Sequence, residues 1–345
     1  MGSANQPLAP AEDSSSIGQV EPPLAPPAWE DDATAWNKVR VVALHRLDQM
    51  MSREPSVLRG NKPAAIHDFR VASRRFQQAF DLLCPPEPAH GLLRLRRRIA
   101  RSRKAVSAVR NYDVLIRLAD KRLARKHSPR RETWDAVRDY LVKRRADAHA
   151  RAAAKLGKSN LIQVYLRLRA EIEPEALSNG NARHPADDLS SLGKGDFRKR
   201  LSQEIERIWG DFEKANGRAR DSSDAPTIHS LRLAAKNLRY LVEIIHEFET
   251  PLSGEALHIL RGLQDRLGKW HDLEVEERTL AKIAGRSRFV RDHLSVASDI
   301  LRLIAQNRKS SSRLLSYPSL VPDPTAHEEL KMCVFSLMAP TKKGR

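Results

Sequence analysis

The chain carries the same amphipathic helical pattern twice, 162 residues apart. The stretch "AIHDFRVASRRFQQAFDLL" at residues 65–83 is matched by "TIHSLRLAAKNLRYLVEII" at residues 227–245. Aligned on His67 and His229, both stretches read H-x-x-R-x-x-x-[RK]. A helical repeat of this length is a whole bundle rather than a solenoid unit. The repeat therefore predicts a doubled helical protein.

Both copies separate a basic face from an apolar face. At about 100° per residue, the three polar positions of the motif span only about 60° of the helix surface. These positions are His67, Arg70 and Arg74 in the first copy and His229, Arg232 and Lys236 in the second, where Arg239 extends the polar face. Apolar residues, including Phe69, Phe76 and Phe80 in the first copy, occupy the opposite side. We expect that side to be buried.

A second correspondence follows each copy of the helix. The segment "RNYDV" at Arg110–Val114 matches "HDLEV" at His271–Val275 with an offset of 161 residues. One residue of drift over this distance indicates a true duplication. Two similar antiparallel four-helix bundles packed against each other are the expected architecture.

The rest of the chain also has helical periodicity. From Ala33 onward apolar residues recur at spacings of three and four, and strand-like alternation is almost absent, which predicts an all-α fold. Proline and glycine predict breaks at Pro55, Gly60–Pro63, Cys84–Pro88 and Pro129, and near Gly285. We expect a disordered leader rich in Pro, Ser and acidic residues at 1–33, a first bundle at 34–175, a linker at 176–196, a second bundle at 197–310 and a partly irregular tail at 311–345.

The charge of the chain indicates its partners. Sixty-one Lys and Arg against 43 Asp and Glu give a formal charge of +18, and such a field attracts polyanions. Nucleic acid, an anionic membrane and polymeric phosphate are all candidates. Most of the basic residues are arginine, whose planar fork binds phosphate oxygens in a bidentate way. High genomic GC content would also raise the use of arginine.

Several classes of protein do not fit the sequence. Cys84 and Cys333 are the two cysteines, and no cluster of Cys and His has zinc-site spacing, so we expect a reducing compartment and no structural metal. No run of 18 apolar residues and no signal-peptide pattern occurs, so we expect no membrane association and a cytoplasmic location.

The doubled motif resembles the CHAD family of histidine-containing α-helical domains. Each copy is followed by a segment similar to "LG-x-x-x-D", as in "LQDRLGKWHDLEV", and the resemblance covers about residues 34 to 310. It implies two four-helix bundles related by a pseudo-twofold axis, a basic surface or channel lined from both halves, and binding of inorganic polyphosphate without catalysis. A location at polyphosphate granules follows from the same resemblance.

Two positions depart from the family pattern. The first segment of the family usually reads R-D-x-D-V, whereas Asn111 follows Arg110 here, and Ser107 stands where the second half has Gly268. These changes affect a local salt bridge at the first elbow rather than the fold.

With polyphosphate as the expected ligand, we assign its contacts to the basic residues of both halves. The helix "GLLRLRRRIARSRKAVSAVR" adds a row of cations to the motif residues, and we expect this row to face the second half across a basic groove. We predict no catalytic residue, metal ligand or cofactor. The predicted binding residues are His67, Arg70, Arg74, Arg94, Arg97, Arg98, Arg101, Lys104, Arg110, His229, Arg232, Lys236, Arg239 and Lys269.

Three alternatives remain. In the first, the basic residues only form a solvated helix face, which is the commonest role of a charge stripe on a helix. A nucleic-acid binder would use the same charge but adds aromatic stacking platforms, and aromatics make up only 5% of this chain. A metal-dependent phosphohydrolase would need further ligands beside His271 and Asp272. We expect Asp113 and Asp272 to pair with arginines or to cap a helix.

Overall fold

A computed structural model describes residues 32–60, 62–84, 90–125, 130–173, 197–247, 253–315 and 320–336. Within these ranges the secondary structure is helical, with no β-strand, which confirms the all-α fold class. The helices of the first half are α1 (Asp32–Arg59), α2 (Pro63–Leu83), α3 (His90–Ala105), α4 (Ser107–Leu123), α5 (Arg131–Ser159) and α6 (Leu161–Ile172). Those of the second half are α7 (Phe197–Asp221), α8 (Ala225–His246), α9 (Ser253–Ala284), α10 (Ser287–Asp292), α11 (Leu294–Leu315) and α12 (Pro324–Ser336).

One predicted break differs from the structure, and part of the predicted tail is helical. Helix α1 continues through Pro55 to Arg59. The proline costs one backbone hydrogen bond and a ring clash with the carbonyl four residues earlier, and burial of Val57 beyond it opposes that cost. The tail predicted from residue 311 contains the last turn of α11 and all of α12. The linker at 176–196, the break at Pro129 and nearly all of the leader at 1–33 lie outside the described residues.

The packing of the helices follows the order of the chain. In the first half α1 packs against α2 and α4 against α5, while in the second half α7 packs against α8 and α9 against α8 and α11. The pair α3 and α4, interrupted at Val106, occupies the sequence positions that α9 covers as one continuous helix of 32 residues. The first half therefore has a break at the point where the second half has none.

Two hydrophobic cores hold the helices together. The larger core contains the aromatic side chains of α2 and also Phe212, Leu238 and Trp270 from the second half. The smaller core joins Leu115 and Trp134 to residues of α9 and α11. Each core therefore takes side chains from both halves.

The halves also meet through polar contacts. Helix α2 packs against both α7 and α8, and α5 packs against α11. Arg75 of α2 donates two hydrogen bonds, of 2.8 and 3.0 Å, to the Glu243 carboxylate of α8. A bidentate pair of this kind fixes the two helices relative to each other more precisely than apolar contact does.

A polar gap separates the two cores along α4 and α9. On α4, Val109 belongs to the larger core and Leu115 to the smaller core. On α9, Trp270 belongs to the larger core and Leu280 to the smaller one. The segments between these residues, "RNYDV" and "HDLEV", therefore lie where the cores meet.

Candidate anion-binding groove

A cavity of about 250 Å³ opens at this gap, and we call it the groove. It is bounded by the first turns of α2, the end of α3, the start of α4, the middle of α8 and the middle of α9. Its lining includes six Lys and Arg residues and two His. The basic lining residues are His67, Arg70, Arg74, Arg103, Arg110, Arg232, Lys236 and His271.

Helix α2 brings the first basic stripe to the groove. Ile66, Phe69 and Ala72 are buried, which turns the opposite face of α2, with its motif residues, toward the cavity. Arg70 Nη1 donates to the Ser107 hydroxyl and, at 3.1 Å, to the carbonyl of Arg103. Arg70 is thereby anchored to the junction of α3 and α4.

Helix α8 presents the second stripe in the same way. Asp224 caps its start by accepting a hydrogen bond of 2.8 Å from the Thr227 amide. Arg232 and Lys236 line the groove one helical turn apart. Tyr240 lies buried beneath them with its ring 6.0 Å from the Lys236 ammonium. The Tyr240 ring therefore packs below the cations of the groove.

Arg103 is a groove residue that the sequence analysis missed. Its Nη1 donates to the carbonyl of Ser73 at 3.4 Å. In the second half, Gln264 Nε2 donates to the carbonyl of Ala235 at 3.0 Å. Gln264 follows Arg103 by 161 residues and Ala235 follows Ser73 by 162, so the two bonds join equivalent positions of the repeat.

The cations lie close enough to shift one another's pKa values. Burial, followed by the charges of Arg74, Arg232, Arg239 and Arg70, lowers the pKa of Lys236 from 10.5 to about 7. Burial, with the same Arg74 and Arg70 next, lowers the pKa of Arg103 to about 10. Burial also lowers the pKa values of Arg70, Arg110 and Arg232. The groove thus holds more positive charge than the protein neutralises.

Three histidines stand at the rim. Burial and the neighbouring Arg232 lower the pKa of His271 to about 4, and burial followed by Arg110 lowers the pKa of His67. The ring of His229 lies 5.7 Å from that of His271, centroid to centroid. The neutral imidazoles of His67 and His271 can donate an N–H to an anion or take up a proton beside it.

Negative charge is scarce in the groove. Among the described residues that line it, Asp272 is the carboxylate, and it lies close enough to Arg232 and Arg110 to affect their pKa values. At the equivalent position of the first half stands the neutral Asn111, which also lines the groove. The equivalent positions of the two halves therefore differ in charge.

Asp113 has a structural role, as its expected pairing with an arginine indicates. Its side chain is fully buried, and Arg145 Nε donates to Oδ1 at 2.5 Å. Arg145 also donates to the carbonyl of Gly60 at 3.0 Å. Asp113 thus ties α4 to α5 and to the end of α1.

The structure brings together only part of the predicted site. His67, Arg70, Arg74, Arg110, Arg232 and Lys236 line the groove. His229 does not line the groove, but its ring lies against that of His271, which does. Arg239 lies beside the groove, where its Nε is 3.6 Å from the Glu243 carboxylate and its guanidinium is 5.3 Å from the Tyr240 ring.

The predicted row on α3 does not face the groove. Leu92, Leu95 and Ile99 form the buried face of that helix, and the row lies on its exposed side. Arg101 and Lys104 line a separate cavity against α5. The remaining predicted residues, which are exposed and line neither cavity, are Arg94, Arg97, Arg98 and Lys269.

This arrangement suits an extended anion with several charges. Side chains one helical turn apart, about 5.4 Å, can contact successive anionic groups. Within the described ranges no three His, Cys, Asp or Glu side chains are placed to hold a metal ion. No helix in the same ranges is long and apolar enough to cross a membrane.

Comparisons with known proteins agree with the fold. A family model described as the CHAD domain matches residues 42–281. A crystal structure of the CHAD domain from the plant Ricinus communis superposes with a TM-score of 0.62 at 20% sequence identity, covering 88% of this chain and 93% of that one. The curated proteins contain no match to this sequence.

Proposed function

This chain belongs to the CHAD domain family, and we propose that it binds inorganic polyphosphate in the groove. The CHAD domain is associated with polyphosphate binding in general. The observation that carries the proposal for this chain is the convergence of six Lys and Arg residues on one cavity that has Asp272 as its carboxylate. A linear polyanion supplies the missing negative charge at regular intervals along that cavity.

The depressed pKa values support an anionic ligand. A lysine with a pKa of about 7 is destabilised in its charged form by burial and by its neighbours. A phosphate chain placed among Lys236, Arg74 and Arg232 removes part of that repulsion. The gain is larger for these partly buried cations than for exposed ones, since water screens them less.

The ligand lies between two related halves in this proposal. The equivalent hydrogen bonds of Arg103 and Gln264, at 3.4 and 3.0 Å, support two bundles related by a pseudo-twofold axis. The halves would then contribute Arg70 and Arg232 from opposite sides of one polymer. Binding without catalysis, a cytoplasmic location and association with polyphosphate granules belong to the same proposal.

Nucleic acid is the competing ligand. The aromatic side chains of α2 are buried in the larger core, and Tyr240 is also buried. Bases would therefore find no exposed stacking surface on these helices. We expect long-chain polyphosphate to displace a labelled polyphosphate at a lower phosphate concentration than single-stranded DNA or RNA does, at one fixed ionic strength. Equal displacement by DNA would favour the nucleic-acid function.

Paired substitutions test the groove itself. Arg74→Gln with Lys236→Gln removes two groove charges and is expected to weaken polyphosphate binding by at least about tenfold, because each charge-assisted contact contributes roughly 1.5–3 kcal/mol. The matched control is Lys143→Gln with Lys309→Gln, two exposed lysines that line neither cavity. Equal losses in both variants would mean a diffuse basic surface.

The absence of catalysis is tested separately. Incubation of the protein with polyphosphate and Mg²⁺ is expected to release no orthophosphate above a blank without protein. Phosphate release that disappears in the Arg74 and Lys236 variant would instead favour the phosphohydrolase function.

A further inference from the structure

A second basic cavity lies on the outer side of α3 and α4, and we call it the outer cavity. It measures about 490 Å³ and lies between the junction of α3 and α4 and the C-terminal part of α5. Four exposed cations line it: Arg101 and Lys104 from the first helix pair, and Arg151 and Lys155 from α5. Among the residues that the structure describes, its lining contains no carboxylate.

These four cations differ from Arg138 and Arg169, two basic residues of the first half that form ion pairs. Arg138 lies 2.6 Å from the Asp120 carboxylate and Arg169 lies 3.1 Å from Asp48. Among the described residues, none of the cations of the outer cavity forms an ion pair with an acidic side chain. Small side chains such as Ala108 and Ala148 lie between them, so an anion can approach all four without displacing a larger side chain.

An exposed strip of helix surface connects the outer cavity to the groove. Lys104 and Ala108 line the outer cavity, and Asn111 lines the groove. All three are exposed. Ala108 and Asn111 are three residues apart on α4, which puts them on one helical face about 4.5 Å apart along the axis, and Lys104 precedes them at the end of α3, across the break at Val106.

The strip carries no negative charge. Its residue at the groove end, Asn111, is neutral, whereas the equivalent residue of the second half is Asp272. A phosphate chain that leaves the groove past Asn111 meets Ala108 and then Lys104, and so continues from a neutral residue to a cation.

We propose that the outer cavity is a second contact site for a single long polyphosphate chain, reached from the groove across Asn111 and Ala108. This inference rests on the proposed function of the groove and adds chain-length selectivity to it. A short oligophosphate fills the groove alone. A long chain fills the groove and continues to Arg101, Lys104, Arg151 and Lys155.

The test compares tripolyphosphate with long-chain polyphosphate on the full chain. Arg151→Gln with Lys155→Gln is expected to weaken binding of the long chain by about tenfold or more and to reduce the slope of log K against log salt by roughly one per lost contact. Its affinity for tripolyphosphate should stay within about twofold of the unmodified protein. The control variant with Lys143→Gln and Lys309→Gln should bind both ligands with unchanged affinity.

A second pair of variants tests the path between the sites. Ala108→Glu introduces a negative charge on the exposed strip and should weaken only the long chain. Ala146→Glu introduces the same charge on an exposed position of α5 that lines neither cavity, and it should have no effect on either ligand.

The outcomes separate the two proposals. Unchanged affinity for long chains in the Arg151 and Lys155 variant, or equal weakening for both chain lengths, would overturn the second contact site. If Arg74→Gln with Lys236→Gln leaves both ligands bound as tightly as before, the groove proposal fails and the extension of it fails as well. A loss of long-chain binding in the outer-cavity variant alone would then identify the outer cavity as an independent site.

Discussion

Polyphosphate binding should be accompanied by proton uptake at Lys236. In the free protein the pKa of this lysine is lowered from 10.5 to about 7, chiefly by burial and then by Arg74 and Arg232. An anion in the groove offsets the positive charge around the ammonium group and so raises its pKa. The bound lysine is then charged at pH values where the free one is neutral.

The magnitude follows from the two pKa values. At pH 8 a group with a pKa of about 7 is charged in roughly a tenth of the molecules. If the bound group returns to its ordinary pKa of 10.5, it is fully charged at this pH. Binding at pH 8 should therefore take up about 0.9 proton per groove, and the affinity should fall about tenfold per pH unit from pH 8 toward pH 10. Below pH 7 Lys236 is charged in the free protein as well as in the complex, so the affinity no longer rises through this residue as the pH falls.

Calorimetry in two buffers of different ionisation enthalpy measures this proton directly. Lys236→Arg keeps the charge at all these pH values, so this variant should bind with little pH dependence and with no uptake at pH 8. The histidines act in another window: the pKa of His271 is lowered to about 4 and that of His67 is lowered too, so their uptake falls near pH 5 to 6. Uptake at pH 8 that persists in Lys236→Arg would refute the assignment, as would an uptake near zero in the unmodified protein.

Other consequences concern stability. Gly60→Ala should lower the free energy of unfolding by at least about 2 kcal/mol in a denaturant titration, because Gly60 has φ of +68° and an added Cβ would lie 2.1 Å from His149 Nε2; an unchanged unfolding midpoint would contradict this. Arg145→Ala should cost about 3–5 kcal/mol because it leaves the buried Asp113 carboxylate without its partner, and adding Asp113→Asn should recover part of the loss. Lys236→Gln should raise the Tm at pH 6, since the unfolded lysine binds a proton up to pH 10.5 and the folded one only up to about 7; the difference should close above about pH 10, and a Tm that falls at pH 6 would be the opposite result.

The groove face of α2 and α8 could be read from the sequence because each helix has one apolar side. Once Phe69 and Leu238 are buried, the orientation of Arg70, Arg74, Arg232 and their neighbours follows from the helical period alone. The repeat added the second half of the site without any knowledge of the tertiary structure.

The outward orientation of the basic row on α3 had a detectable signal in the sequence. Ile99 is buried with Ser102, and this face of the helix turns Arg103 inward and leaves Arg101 and Lys104 outside. A count of basic residues along the helix does not distinguish the inward-facing Arg103 from the exposed Arg101 and Lys104. The hydrogen bond from Arg70 to Ser107 could not be predicted from the sequence, because it depends on how the break at Val106 places α4 against α2.

The shared cores have a consequence for what a shorter chain can do. Phe212 and Leu238 of the second half lie in the same core as Phe69 and Phe76 of the first, and Trp134 packs in one cluster with Leu280. A chain with only one half would leave an apolar side uncovered in water. We therefore expect a chain with only one half to self-associate or aggregate rather than to remain a folded monomer.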